Sequence, residues 1–469
     1  MTATTHTRAL ADLLSGLHFG DIPATAIAEA KLITLHTIAA SIAAYPVDQT
    51  RKTIDMVQRR GGTAEATVWG SDGRKVPAQE AAFANGTLAD IMDWEDCSWT
   101  GHPSAGAIPV AMAVAEARRM SGKDYLTAVV AAYEGYQRIA MAAQPSVAHL
   151  RSGKGWGLVS WQIFAASLAA GKLMNFTADQ FDQLMGASLY NTIVPTNKHA
   201  EGAAKSDIYH YAHGFCARNG IVAAELTAAG FDACRGALDG QDGFWNMVSD
   251  QVDWDWHTRD FGKTWLICET YLKHWPTNMW VQTPLELLDQ MIDEHGFAKD
   301  DIARIRVSPH VPFIAENYAE TARGSLDAQF SIPYCLTAYL MDPKPGAHWF
   351  TEDMRNNAEL IAFTGKFEHF GETRTPQDNF DEFKRGEFPL VRLEISLDDG
   401  RHLVGEMRYP KGHPKNNFTW EEEADHFRLC CSPYMSGERI EKVIAAVRDL
   451  ESVADMSSVA EQCVVDRHG

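Results

Sequence analysis

The chain has 469 residues, of which 45% are hydrophobic and 22% charged, and its formal net charge is −20. This length and composition are typical of a globular protein of two domains, and no stretch approaches the roughly 18–20 apolar residues that span a bilayer. The negative charge argues against nucleic acid and anionic membranes as partners, because phosphate binding needs clustered Lys and Arg.

Two further features of composition concern the compartment. The first ten residues are polar and lack the basic and then apolar pattern of an export signal. The eight cysteines are scattered and form no Cys-x-x-Cys pair, which favours free thiols in a reducing compartment. We therefore expect a cytoplasmic protein.

Helical periodicity dominates the N-terminal half of the chain. Apolar residues recur at helical spacing and many of them are alanine, which predicts closely packed helices in a bundle. Thr177 with Gln180 has the pattern of a capping box before one of these helices. The predicted helices cover residues 27–42, 81–92, 108–120, 125–141, 161–173 and 217–229.

The pattern changes after about Trp265. Thr283 and Pro284 predict the first turn of a helix, and residues 302–307 predict a short strand. Residues 390–409 alternate apolar and polar side chains around an Asp-Gly turn, which predicts a β-hairpin. The polar stretch 367–387 is interpreted as a mobile excursion.

Helical spacing returns near the C-terminus, between Ile440 and Leu450. The predicted fold is therefore mainly α, with a large all-α helical-bundle domain and a smaller α+β domain with an antiparallel sheet. The helical domain is predicted to be discontinuous, with residues 1–265 and 415–469, and the α+β domain to cover residues 266–414 like a lid.

Several short motifs point to no cofactor. Gly262-Lys-Thr resembles the end of a phosphate-binding loop, but His257 stands where that loop needs a glycine, and no apolar strand precedes it. His210 and His213 could share a helix face, yet no third ligand with suitable spacing lies nearby. We expect neither a nucleotide nor a metal.

Four segments carry a resemblance to a known family. They are Asp90-Ile-Met-Asp-Trp-Glu-Asp-Cys-Ser-Trp-Thr-Gly-His-Pro-Ser, Tyr271-Leu-Lys-His-Trp-Pro-Thr-Asn, Asp327-Ala-Gln-Phe-Ser-Ile-Pro-Tyr and Pro410-Lys-Gly-His-Pro. In order and spacing they resemble the MmgE/PrpD family across nearly the whole chain. Each motif alone is weak, and the four in order make the identification.

The resemblance implies an enzyme without a cofactor. Members of that family include 2-methylcitrate dehydratase, cis-aconitate decarboxylase and iminodisuccinate epimerase, which move a proton beside a carboxylate. It implies a site between the two domains and a homodimer. We expect a lyase of the hydro-lyase type that acts on a small hydroxy- or unsaturated carboxylate, with an isomerase, epimerase or decarboxylase as the alternative.

The resemblance and the chemistry together select three catalytic candidates. Proton removal beside a carboxylate needs a positioned base and groups that stabilise the developing negative charge. Asp93 and His102 are nine residues apart across a turn, and either could be acid or base. His102 is favoured as the proton carrier, because the ordinary pKa of histidine lies closest to neutrality. Lys273 would supply a positive charge at the domain junction.

Further residues are candidates for substrate binding. Ser104 is expected to cap a helix whose amides suit a carboxylate, and the Tyr334 hydroxyl could donate a hydrogen bond to the substrate. For both, a purely structural role stays open. The complete set of binding candidates is Cys97, Ser98, Ser104, Lys205, Tyr209, His210 and Tyr334.

The sequence departs from the family pattern at three positions. Gly157 stands in place of a histidine, Tyr209 in place of a lysine and Cys97 in place of a threonine. Lys205 or Lys198 could supply the charge of the missing lysine. Fewer cations favour a substrate less charged than a tricarboxylate. They also leave open a catalytically inactive member that binds a ligand.

Overall fold

The structure is a computed structural model that describes residues 5–98, 101–143, 158–192, 207–240, 242–320, 324–375, 378, 381–382 and 385–466. Within these ranges it contains nineteen α-helices and eight short strands. The helices are α1 (His6–Gly16), α2 (Ala24–Ala43), α3 (Asp48–Arg60), α4 (Ala78–Asp90), α5 (Pro103–Arg118), α6 (Gly122–Ala143), α7 (Gln162–Leu173), α8 (Ala178–Leu189), α9 (Tyr211–Ala228), α10 (Phe244–Val248), α11 (Met279–His295), α12 (Pro312–Ala315), α13 (Ser325–Gln329), α14 (Ile332–Met341), α15 (Glu352–Arg355), α16 (Ala358–Thr364), α17 (Trp420–Cys431), α18 (Gly437–Arg448) and α19 (Ser457–Ala460). The strands are β1 (Ala66–Thr67), β2 (Lys75–Val76), β3 (Asp96–Cys97), β4 (Tyr271–Leu272), β5 (Ile302–Ser308), β6 (Phe367–His369), β7 (Val391–Leu397) and β8 (His402–Met407).

The predicted fold class is confirmed, because helices dominate and the sheets are small. The six helices predicted from periodicity in the N-terminal half all exist, with ends that differ by up to six residues. The capping box at the start of α8 is also present, with Thr177 and Gln180 as the reciprocal partners.

Helix α2 is a long and mostly buried helix of the helical part. Its polar residues fit into an apolar core because their hydroxyls donate back to the carbonyl four residues earlier, as in Thr34, Thr37 and Ser41. Contrary to the expectation from the sequence, α2 is long and apolar enough to cross a membrane, but 89% of its most apolar window is buried inside the protein. Such burial is typical of a core helix.

Glycines allow the helices around α4 and α9 to approach closely. A Cβ atom on Gly214 of α9 would lie 2.6 Å from the Phe83 carbonyl oxygen of α4, and one on Gly220 would lie 2.5 Å from Ala166 Cβ of α7. These contacts fix the N-terminal end of α9 against the C-terminal half of α4.

The largest sheet has four strands in the order β6-β5-β7-β8. β5 and β8 are both antiparallel to β7, with Ile305 opposite Ile395 and Leu403 opposite Ile395. The predicted hairpin is therefore confirmed. β6 pairs parallel to β5, so the start of the polar stretch 367–387 is an edge strand and not an excursion.

Helix α11 begins earlier than predicted. Asn278 caps it by accepting a hydrogen bond from the Trp280 amide, and Pro284 lies inside the helix. The prediction that Thr283 and Pro284 form the first turn was wrong. A proline inside a helix removes only one backbone hydrogen bond, so the helix can begin several residues before it.

The C-terminal helix α17 packs on α2. This contact joins the last part of the chain to the N-terminal helices. The division into 1–265, 266–414 and 415–469 stays a prediction.

Candidate active site

The acidic turn, residues 90–98, connects α4 to β3. Helix α4 ends at Asp90, and Asp93 has a φ of 49°, a left-handed conformation that is uncommon for a residue other than glycine. The chain then extends into β3, and α5 begins at Pro103. Four carboxylates therefore lie on seven consecutive residues, with their backbone directions set by the turn.

Strand pairing brings Lys273 to this turn. β3 and β4 are antiparallel, with Asp96 opposite Leu272 and Cys97 opposite Tyr271. Beyond this pair the Lys273 amide donates to the Glu95 carbonyl over 3.4 Å. Two segments that are far apart in the sequence thus place a lysine beside the acidic turn.

Glu95 lies at the centre of the resulting cluster. Its Oε1 is 2.9 Å from Lys273 Nζ and also contacts His102 Nδ1. Lys273 Nζ donates in addition to Asp93 Oδ1. The structure therefore brings Asp93, His102 and Lys273 together, and the residue that joins them is Glu95.

Burial distinguishes the members of the cluster. The side chains of Lys273 and Glu95 are fully buried, whereas that of His102 is 14% exposed. The second carboxylate oxygens of Asp93 and Glu95 are buried and accept no hydrogen bond from the described residues. A buried acceptor without a donor is costly, so these oxygens are available to a proton or to a substrate.

The electrostatics make His102 and Lys273 cationic. Burial and Lys273 oppose a charged His102, but Glu95 and Asp90 outweigh them and raise the pKa of His102 to about 9. Burial opposes a charged Lys273 as well, but Asp93 and Glu95 raise its pKa above the usual range. At neutral pH His102 is therefore a proton donor, and Lys273 is a fixed positive charge.

A second layer of histidines surrounds Asp90. His210 Nδ1 lies 2.7 Å from one Asp90 oxygen and His213 Nε2 lies 3.4 Å from the other. The His213 ring is edge-on to that of His102, with centroids 5.3 Å apart. Burial lowers the pKa of His213, while Asp90 overcomes burial and raises that of His210.

The start of α5 differs from the prediction. The helix begins at Pro103, so Ser104 is its second residue and not its cap. The Ser104 amide donates to Asp96 Oδ1 over 3.0 Å, and Tyr133 donates to the other oxygen over 2.6 Å. The Ser104 amide is therefore already occupied by a protein carboxylate, and the expectation that Ser104 caps the helix was wrong.

The remaining binding candidates fall in different places. Cys97 is buried beside the cluster, where its sulfur lies 3.2 Å from Met279 Sδ, and Ser98 forms a bridge with Gly101. Tyr209 is half-buried, with its ring 5.4 Å from that of His210. Lys205, Lys198 and Gly157 lie outside the described residues.

Tyr334 does not join the cluster. It is fully buried, and its hydroxyl donates to the Trp349 carbonyl. The expected hydrogen bond to a substrate is therefore replaced by an internal one, and we correct this assignment to a core residue.

Sequence reasoning missed Glu95, Asp90 and His213 as site residues. Asp90 and Glu95 were part of the recognised motif, and an acidic run next to a tryptophan was a usable signal. His213 was considered only as a metal ligand. Their positions depend on contacts between distant elements, which spacing along one segment does not reveal.

Two groups of described side chains are close enough to hold a metal: Asp90 with Glu95 and His102, and His36 with Glu423 and His426. In the first, Glu95 already contacts a lysine cation and a protonated histidine, and an adjacent cation opposes a second one. In the second, both nitrogens of His36 face protein acceptors. We assign neither group to a metal.

Comparison with known proteins covers nearly the whole chain. Residues 8–257 match the model of the MmgE/PrpD N-terminal domain, and residues 275–451 match that of the C-terminal domain. Human cis-aconitate decarboxylase is 23% identical over 474 residues, which cover 96% of this chain and 93% of the relative. The cis-aconitate decarboxylase-like protein oryM of Aspergillus oryzae is 25% identical over 486 residues, covering 97% and 96%.

A third relative, cis-aconitate decarboxylase of Aspergillus terreus, is 22% identical over 474 residues, covering 95% of this chain and 93% of its own. The two domain models together match far more than half of the chain, in the order that the family requires. The chain therefore belongs to the MmgE/PrpD family.

Proposed function

We propose that this protein is a lyase that acts on a small hydroxy- or unsaturated carboxylate by acid–base chemistry. The observation that carries the proposal is a buried cluster in which Lys273 pairs with both Asp93 and Glu95, and His102 contacts Glu95. The relatives named as cis-aconitate decarboxylases support the same class of reaction.

The residues divide the chemistry between them. The Asp93 carboxylate, with one buried oxygen unpaired, accepts a proton from the carbon beside the substrate carboxylate. The His102 imidazolium delivers a proton to a departing hydroxyl, or to the carbon that loses CO2. Lys273 pairs with Asp93 and Glu95 and offsets negative charge that develops on the substrate.

The reaction type is tested by incubating the protein with cis-aconitate, 2-methylcitrate, citrate and smaller unsaturated acids in D2O. CO2 release identifies a decarboxylase, net loss or gain of water a hydro-lyase, and deuterium exchange without either an isomerase or epimerase. We expect either release of CO2 or net loss or gain of water. Deuterium exchange alone, or binding without turnover, would overturn the proposed lyase.

Site variants complete the test. Since the proposal makes His102 the acid and Asp93 the base, His102→Gln and Asp93→Asn should each reduce kcat by at least about 100-fold. Tyr334→Phe is the matched control, because its hydroxyl bonds only within the core, and it should keep kcat within about threefold. Full activity in either site variant would contradict the assignment.

The remaining expectations are also proposals. We propose that the protein acts in the cytoplasm as a homodimer and uses neither nucleic acid nor a membrane as partner. The net charge of −20 supports the absence of polyanionic partners.

A further inference from the structure

A second set of buried polar side chains contacts the acidic turn through Trp94, the residue between Asp93 and Glu95. The set consists of His36 on α2 with Glu423 and His426 on α17, none of which is more than 5% exposed. These residues belong to elements that contribute nothing to the cluster of Lys273, Glu95 and His102.

His36 bridges α17 and the acidic turn. Its Nδ1 lies 3.1 Å and 3.2 Å from the two oxygens of Glu423, and its Nε2 lies 2.9 Å from the Trp94 carbonyl. The Glu423 carboxylate and the Trp94 carbonyl are both acceptors, so each nitrogen of His36 needs a proton to bond to them. The His36–Glu423 pair therefore holds one proton more than a neutral imidazole beside a carboxylate. In agreement, burial opposes a charged His36 but Glu423 outweighs it, and the pKa of His36 is raised.

Trp94 is fixed at two further points. Its indole N–H donates to the His274 carbonyl over 3.0 Å, immediately after Lys273 in the chain. Its ring is edge-on to His426, with centroids 5.1 Å apart. Trp94 therefore connects the backbone of Asp93 and Glu95 with the backbone next to Lys273.

The turn needs such support. Asp93 has a left-handed backbone conformation, which is unfavourable for a residue other than glycine and persists only where the surroundings enforce it. The carbonyl of the next residue, Trp94, accepts a hydrogen bond from the charged His36 imidazole. Hydrogen bonds from charged donors are stronger than those between neutral groups.

We propose that His36 and Glu423 are positioning residues, which hold the Trp94 carbonyl and thereby set the geometry of Asp93 and Glu95 relative to Lys273 and His102. Their importance for catalysis rests on the proposed function, but the geometry that they set does not. His36 and Glu423 touch none of the reacting groups, so their effect passes through Trp94.

The pKa of His102 reports this geometry without any substrate, because Glu95, Asp90, Lys273 and His213 face its imidazole. The titration is followed by NMR of protein labelled with carbon-13 at histidine Cε1, and His102→Gln identifies the signal. His36→Ala and Glu423→Ala should each lower the measured pKa of His102 by about one pH unit or more, since Glu95 is no longer held in place.

Two controls separate positioning from a general loss of stability. Glu423→Gln can still hydrogen-bond to His36 Nδ1 and should keep the pKa of His102 within about 0.3 of the wild-type value. Glu116→Ala removes another buried carboxylate, which bonds Thr67 and Lys75 far from the acidic turn, and should leave that pKa unchanged. An unchanged His102 pKa in Glu423→Ala overturns the proposal, and that variant decides the matter should His36→Ala not fold.

Kinetics provide the second readout once a substrate is found. Glu423→Ala should reduce kcat about tenfold or more with KM within about threefold, and Glu423→Gln should restore kcat. A protein that shows the titration shifts but turns over no carboxylate overturns the proposed lyase and leaves the positioning role standing.

Discussion

At the scale of single residues, Glu95 determines the state of the site. It contacts a lysine and a histidine with the same oxygen, so one carboxylate supports two cations. The sequence favoured His102 because of its ordinary pKa near neutrality, whereas the structure raises that pKa to about 9. His102 is therefore protonated at neutral pH, as its proposed role as the acid requires.

This state predicts an alkaline limit of activity. His102 has a raised pKa in the folded protein, so its proton is present below about pH 9 and is lost as the pH rises through that value. We expect kcat/KM to fall above about pH 9, and Glu95→Gln to move this fall to lower pH by about one unit or more.

The pH profile is measured with the substrate found by the screen of carboxylates. Glu134→Gln is a suitable control, because Glu134 is an equally buried carboxylate that pairs with Arg138 and not with His102. Its profile should match that of the wild type. A profile of Glu95→Gln that is also unchanged would remove Glu95 from the site.

Lys273 gives a prediction about stability. Lys273→Met removes the buried cation that Asp93 and Glu95 share, which should lower the free energy of unfolding by about 3–5 kcal/mol. The double variant Lys273→Met with Asp93→Asn should regain part of this loss but no activity. Urea unfolding measures both, with Lys299→Met as a control.

In that control the lysine pairs with Glu359, whose side chain is 62% exposed, so the free energy of unfolding should change by no more than about 1 kcal/mol. A loss in Lys273→Met no larger than that in Lys299→Met would show that the buried ion pairs contribute little.

At the scale of elements, the approach of α9 to α4 places His210 and His213 on Asp90. Gly214 permits this approach, because a Cβ atom there would meet Thr87 Oγ1 and the Phe83 carbonyl. Helical periodicity predicted both helices, but the distance between their axes depends on which residues face each other. The sequence therefore did not reveal that His213 meets Asp90.

Gly214→Ala should force the two helices apart. We expect a loss of about 1–3 kcal/mol in the free energy of unfolding, as for other overpacked contacts, measured by thermal or urea denaturation. Gly16→Ala is the matched control, since a Cβ atom at the end of α1 meets nothing within 4 Å. Equal stability of the two variants would contradict a close contact between α4 and α9.

At the scale of the whole molecule, buried carboxyl groups make stability depend on pH. Glu29 on α2 bonds Asn417 over 2.8 Å, and burial raises its pKa from 4.5 to about 8. Between these values the unfolded chain loses this proton and the native protein keeps it, so stability falls as the pH rises through that window.

Glu29→Gln removes this dependence. The free energy of unfolding of the variant, relative to that of the wild type, should rise between pH 6 and pH 9. At about 1.4 kcal/mol for each pH unit, the rise is a few kcal/mol at most. Urea unfolding at both pH values gives the difference. Glu406→Gln, whose side chain is 48% exposed, should show no such gain, and an equal response of the two variants would place the pH dependence elsewhere.

The sequence by itself determined the helices, the hairpin and the family, and it singled out Asp93, His102 and Lys273 as candidates, because periodicity and short motifs are local properties of the chain. The tertiary structure decided the roles of Glu95, Asp90 and Ser104. Glu95 meets Lys273 across 178 positions of sequence through the pairing of β3 with β4, and Asp96 occupies the amide that was assigned to a substrate. Charge and hydrogen bonding act between neighbours in space, and those neighbours are set only when the elements pack.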